Sequence, residues 1–209
     1  QLDLEMADAS REPTAAALEE DARRAEAAAM AVQGVTQMDA AGAGYSSSNV
    51  FLATSNGFSG GVAYTGRSTS AVAIAGTGTG MERDYDADTR IFQSDLRSPE
   101  EIGTQAGQRA VERLHPQKPK TGSYPIIFDE RISSSLIGHL LAATNGAMIA
   151  RGSSWAKDLL GEQILPAGLS LIEDPHRARV NGSRAFDCEG LATSKRTIVD
   201  NGVLTGWTL

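Results

Sequence analysis

Apolar positions recur along the chain with two periods, and the switches between them mark out the elements. Residues 13–30 are rich in alanine, with Glu19, Glu20, Asp21, Arg23, Arg24 and Glu26 forming a polar side. Alanine has the highest helix propensity, and acids placed before bases suit pairing one turn apart. The spacing predicts a surface helix from Pro13 to Met30. From Gly34 to Gly80 the pattern becomes that of strands. Asn49–Ser55 and Phe58–Tyr64 flank Asn56-Gly57, which predicts a hairpin with a type I′ turn, since that turn needs positive φ at both central residues. Gly60-Gly61 predicts a bulge beside it. Ser68–Ala75 reads as a further strand and Tyr85–Phe92 as one more. There is no room for crossover helices, so an antiparallel meander is expected.

Ser98-Pro99-Glu100-Glu101 has the form of a helix start: a capping serine, proline at the first helical position and glutamate at the third. Ile102, Ala106, Ala110, Val111 and Leu114 then share one face of a helix ending near His115-Pro116. Residues 116–122, with two prolines, two lysines and a closing glycine, read as a linker. Two regions are therefore expected, 1–118 and 119–209. In the second, Ser123–Asp129 predicts a short buried strand, followed by a helix with an apolar stripe of Ile132, Leu136, Leu140 and Leu141. Leu169–Ile172 reads as a strand. Asn201-Gly202, between Thr197–Asp200 and Val203-Leu204, predicts a second hairpin. The fold class is α+β: helices packed on an antiparallel sheet, then a strand and helix leading into a β-rich part.

Composition narrows the function classes. The chain has 209 residues, 41% hydrophobic and 22% charged, as in ordinary globular domains. Twenty-six acids against 19 bases give a formal charge of −7, which disfavours direct nucleic-acid binding. Cys188 is the single cysteine, which rules out an intrachain disulfide and fits a reducing cytoplasm. No apolar run reaches the 18 residues of a membrane span. The chain opens on Gln1 and closes at Leu209 within a predicted strand, so a fragment of a longer protein is expected.

Several motifs invite chemistry and lose it on inspection. Gly76-Thr77-Gly78-Thr79-Gly80 lacks the Lys-Ser/Thr of a phosphate loop and reads as a turn. Asp84-Tyr85-Asp86-Ala87-Asp88 begins like a calcium loop, but Thr89 stands where glycine is needed and Asp95 where a bidentate glutamate is usual. A solvated acidic strand edge is the better reading. Cys188 lies between Asp187 and Glu189, which work against a thiolate. His115 reads as a charge at a helix C-terminus, and His176 as a loop residue. His139 borders the apolar stripe near Leu136 and Leu140, so a partly buried, hydrogen-bonded histidine is expected. A catalytic zinc site needs three protein ligands and a base to act on bound water; the serines and leucines around His139 supply neither.

The run Tyr124–Trp155 resembles the PmbA/TldD family, described both as modulators of DNA gyrase and as metallopeptidases. The resemblance extends through Asn56-Gly57-Phe58, Gly80–Tyr85, Ser98-Pro99-Glu100, Gly122–Pro125, Gly138-His139-Leu140, Asp174-Pro175-His176, Gly182-Ser183-Arg184 and Asn201–Leu204. Its TldD branch carries His-Glu-x-x-x-His on the helix after the strand, with a distant cysteine, as a zinc site. Here Ser134 falls on the first histidine, Ser135 on the glutamate, and His139 alone is kept. The chain thus resembles the PmbA (TldE) branch. That implies no catalytic residue and no metal in this chain, zinc in a TldD-like partner subunit, peptide substrates, and no direct contact with nucleic acid or membrane. The alternatives left open are an active zinc metallopeptidase using His139 with His176 or acidic side chains, and a protein-binding modulator of DNA gyrase.

Overall fold

The computed structural model describes residues 2–208, and the chain divides into two compact units. The first comprises residues 1–119 and 176–193, the second 120–175 and 194–209. Residues 176–193, expected with the second region, fall in the first unit. There the Arg179 N–H donates to the Leu4 carbonyl and the Phe186 ring lies 4.8 Å from that of Phe58.

In the first unit, helix α1 (Ala15–Met30) begins at Thr14, whose side chain accepts from the Ala17 N–H. Strands β1 (Val35–Ala53), β2 (Ser59–Ala75) and β3 (Glu82–Arg90) form an antiparallel sheet in that order, and α2 (Pro99–Glu112) follows. The capping box of α2 is formed as expected, with Ser98 and Glu101 bonding each other's backbone N–H. The core is built largely of small side chains: Ala25 and Ala29 of α1, Ala71, Ala73 and Ala75 of β2, and Ile102, Ala106 and Ala110 of α2. Small residues let the helices approach closely. A Cβ on Gly103 would stand 2.0 Å from the Ala25 carbonyl oxygen, so no larger residue fits this crossing without a backbone shift.

The sheet departs from the expectation in four places. The two strands read at 58–64 and 68–75 are one continuous β2, because β1 pairs with it throughout. The register shifts lie at Val35/Gln37 and Met38/Ala40, not at Gly60-Gly61. The first hairpin is not type I′. Only Gly57 has positive φ (92°), the Gly57 N–H donates to the Thr54 carbonyl, and a three-residue loop results. The aspartates of the Asp84–Asp88 run are not solvated, although Tyr85 and Ala87 between them are exposed. Asp84 and Asp86 are buried, for reasons given below.

In the second unit, α3 (Glu130–Ala143), capped by Asp129, is followed by the short α4 (Gly146–Ala150). Strands β4 (Leu171–Glu173), β5 (Arg196–Asp200) and β6 (Val203–Leu204) form a small antiparallel sheet. Here Asn201 and Gly202 both have positive φ, 46° and 88°, the type I′ signature predicted for this hairpin. Leu140, Ile198, Val199 and Leu204 form the core. The buried strand expected at 123–129 is absent. Those residues form no strand and are exposed, Ile127 to 97%. They have no strand partner among the described residues. The expected α3 stripe is exposed in its first half only: Ile132 and Leu136 face solvent, while Leu140 is buried and Leu141 packs half-buried against the same core.

Candidate functional site on the third helix

The residues singled out by sequence fall on the first three turns of α3. Asp129 starts the helix by accepting from the Arg131 N–H at 2.9 Å, and its carboxylate also receives the Arg131 guanidinium. Ser133 donates to the Glu130 carbonyl at 3.0 Å and Ser135 to the Ile132 carbonyl at 2.6 Å. These local bonds return the hydroxyls to the helix backbone, the usual outlet for serine inside a helix. Ser134 and Ser135 are exposed, and so is His139, which corrects the expectation of a partly buried histidine. The α3 backbone turns the 139 side chain away from the small core that Leu140 enters.

Taken as a donor set, this helix presents hydroxyls and one imidazole. A tetrahedral zinc site draws on thiolate, imidazole and carboxylate ligands; serine hydroxyls are not among them, and those of Ser133 and Ser135 already donate to carbonyls. Ser135 has no acid–base capacity near neutral pH with which to take a proton from water. Among the described residues, no three His, Cys, Asp or Glu side chains are grouped to hold a metal ion. His176 lies in the first unit, where its Nε2 is 3.0 Å from the Thr193 hydroxyl, while Thr193 donates to the Arg184 carbonyl. Cys188 is exposed.

The calcium-like acidic run resolves into a structural network that the sequence reading missed. Alternate residues of β3 point toward α2 and its approach. Asp86 accepts from Arg97 at 2.7 Å and from Arg109 at 2.6 Å. Arg113 lies 3.6 Å from Asp84. Burial pushes the Asp88 carboxyl up, but the Arg97 backbone N–H and the Arg90 and Arg97 guanidiniums more than offset this and hold it below the usual carboxylate range. The signal was present in the sequence: acids at period two on a strand, followed by arginines before, on and at the end of a helix.

An antiparallel sheet covered by two helices, followed by a unit in which a capped helix precedes short strands, defines a mixed α+β protein whose candidate chemistry sits at one helix start. Residues 8–114 match the PmbA/TldA metallopeptidase central domain and residues 121–209 the C-terminal domain of the same family. The chain belongs to the PmbA/TldD metallopeptidase family. It is 39% identical over 155 residues to Metalloprotease PmbA of Escherichia coli O157:H7, covering 74% of this chain and 34% of that protein. A PmbA homolog of Haemophilus influenzae is 38% identical over 131 residues, covering 63% and 29%. The chain thus spans about a third of the length of these relatives. A proposed modulator of DNA gyrase from Bacteroides thetaiotaomicron superposes with a TM-score of 0.84 at 29% identity, over 99% of this chain and 48% of that one. TldE from Thermococcus kodakarensis shares the fold, with a TM-score of 0.72 at 18% identity over 94% and 44%. Among the described residues, no helix is long and apolar enough to cross a membrane.

Proposed function

We propose that this chain is the non-catalytic subunit of a cytoplasmic two-component metallopeptidase. In this reading it pairs with a zinc-bearing TldD-like subunit, and the pair degrades or processes peptides. Residues 1–118 belong to its helix-and-sheet scaffold, and residues 119–209 to its C-terminal part. The observation that carries the reading is the pair Ser134 and Ser135, standing exposed on α3 where the family's zinc motif has a ligand and a base. The contribution of such a subunit is architectural: it closes a chamber and presents backbone edges on which extended substrates can align.

The experiment is co-purification and turnover. The full-length protein, expressed with its natural partners, should recover a chain bearing His-Glu-x-x-x-His and should cleave peptides only in that company. Robust peptide turnover by the isolated protein, abolished by His139→Ala, would overturn the reading in favour of an active peptidase. Recovery of gyrase in place of a TldD-like chain would overturn it in favour of a gyrase modulator.

A further inference from the structure

Four of the five asparagines in this chain precede glycine: Asn56, Asn145, Asn181 and Asn201. This dipeptide carries a reaction of its own. The glycine nitrogen can attack the asparagine side-chain carbonyl, because no Cβ on the glycine hinders the approach. The attack needs a glycine N–H free to lose its proton and an asparagine side chain free to swing toward it. At three of the four sites the fold withdraws both groups. The Gly57 N–H donates to the Thr54 carbonyl at 3.1 Å, while Asn56 Oδ1 accepts from the Phe58 N–H at 3.1 Å. Asn145 caps α4: its Oδ1 accepts from the Met148 N–H at 3.2 Å, and the Gly146 N–H donates to the Thr208 carbonyl at 2.7 Å. The Gly202 N–H donates to the Leu169 carbonyl at 2.7 Å, and Asn201 Oδ1 accepts from the Gly168 N–H at 2.6 Å. Each of these bonds must break before a ring can close.

Asn181 differs in both respects. Val180–Ser183 is a β-turn closed by the Ser183 N–H donating to the Val180 carbonyl at 2.8 Å. Gly182 is its third residue, whose amide such a turn leaves outside its own hydrogen bond. Among the described residues, no acceptor meets the Gly182 N–H and no hydrogen bond holds the Asn181 side chain. Both residues are exposed. They lie in the 176–193 segment of the first unit, just after Arg179, which pairs with Glu5 and Asp95.

We propose that Asn181-Gly182 is a self-modification site, the one Asn-Gly pair of the four that forms isoaspartate in the folded protein, and that its conversion loosens the 176–193 segment. The Gly182 nitrogen gives up its proton and bonds to Asn181 Cγ. The Cγ–Nδ2 bond breaks, ammonia leaves, and a succinimide remains. Water then opens the ring at either carbonyl. One opening gives aspartate; the other gives isoaspartate, whose main chain runs through Cβ and Cγ. Either product places a new carboxylate two residues from Arg179, in competition with Glu5 and Asp95. Isoaspartate also lengthens the turn that leads into the buried Ser183.

The test incubates the full-length protein in mildly alkaline buffer and follows all four sites by peptide mapping, with isoaspartate read by methyl transfer from an isoaspartyl methyltransferase. Conversion at Asn181 is expected to be at least about tenfold faster than at Asn56, Asn145 or Asn201, the effect of the hydrogen bonds those sites must first break. In denaturant the four should react at similar rates, because the dipeptide is the same and the fold is gone. Gly182→Ala puts a methyl group into open space at a residue without positive φ. It should keep the fold and suppress the reaction at Asn181 alone. In the converted protein, amide exchange should quicken at Arg179 and Ser183 and stay unchanged at Ala106 in the core of α2. Asn181 intact while another site converts, four equal rates in the folded protein, or unchanged exchange at Arg179 and Ser183 after conversion would overturn the proposal.

Discussion

Two stretches of this protein reverse the usual relation between polarity and burial. On β3, Asp84 and Asp86 are buried, Asp86 to 4% exposure. Across residues 124–137, Tyr124, Ile126, Ile127, Phe128, Ile132, Leu136 and Ile137 are exposed. The difference lies in partners. An ionised carboxylate can leave water when two guanidiniums replace its hydration, and Arg97 and Arg109 do this for Asp86. An apolar side chain is buried only when another element covers it, and among the described residues none packs over Ile127. Both stretches drew attention as candidate chemistry. The first is a structural ion-pair network, and the second is a helix start at which the Ser133 and Ser135 hydroxyls donate to the helix's own backbone.

The comparison can be broken by substitution, beginning where the effect is greatest. Ile102→Ala, in a core whose alanine neighbours cannot collapse into the space, should lower the unfolding free energy by about 4 kcal/mol in denaturant titration. Asp86→Ala removes the carboxylate that Arg97 and Arg109 share and should cost about 3 kcal/mol; a loss below about 1 kcal/mol would show that the network is solvated after all. A smaller effect is expected from acid. The folded Asp88 carboxyl lies below its ordinary value, so its contribution is present above about pH 4 and is lost as pH falls through the folded value. Stability should be level from pH 7 to 5 and decline below about 4, and Asp88→Asn should flatten that decline. Smallest is Ile127→Ala, the same kind of truncation as at Ile102, made at an exposed site. It should change stability by less than about 0.5 kcal/mol, and a large loss would mean that this residue is covered in solution.

Much of the first unit was legible because its signals are local. The Ser98–Glu101 capping box and the alanine face of α1 follow from residues within a turn or two of one another. Asn201-Gly202 adopted the turn its sequence favours. Asn56-Gly57 did not: the same dipeptide closes a three-residue loop, with Asn56 outside the left-handed region. Hairpin type is set jointly by the dipeptide and by the register of long strands, and register is not local. Burial was the least legible property. Asp84 and Asp86 needed arginines from 11 to 29 residues away, and the apolar run 124–128 lacks the cover that its composition predicts. The substitution of Ser134 and Ser135 into a metal-binding pattern was visible only through family resemblance, since serines on a helix carry no such signal themselves.

The central claim is that α3 keeps the family's helix without its metal chemistry. Elemental analysis of the purified full-length protein, isolated from any partner, tests it most directly. The account predicts zinc far below one ion per chain, unchanged by His139→Ala. One tightly held zinc per chain, lost on that substitution, would contradict it.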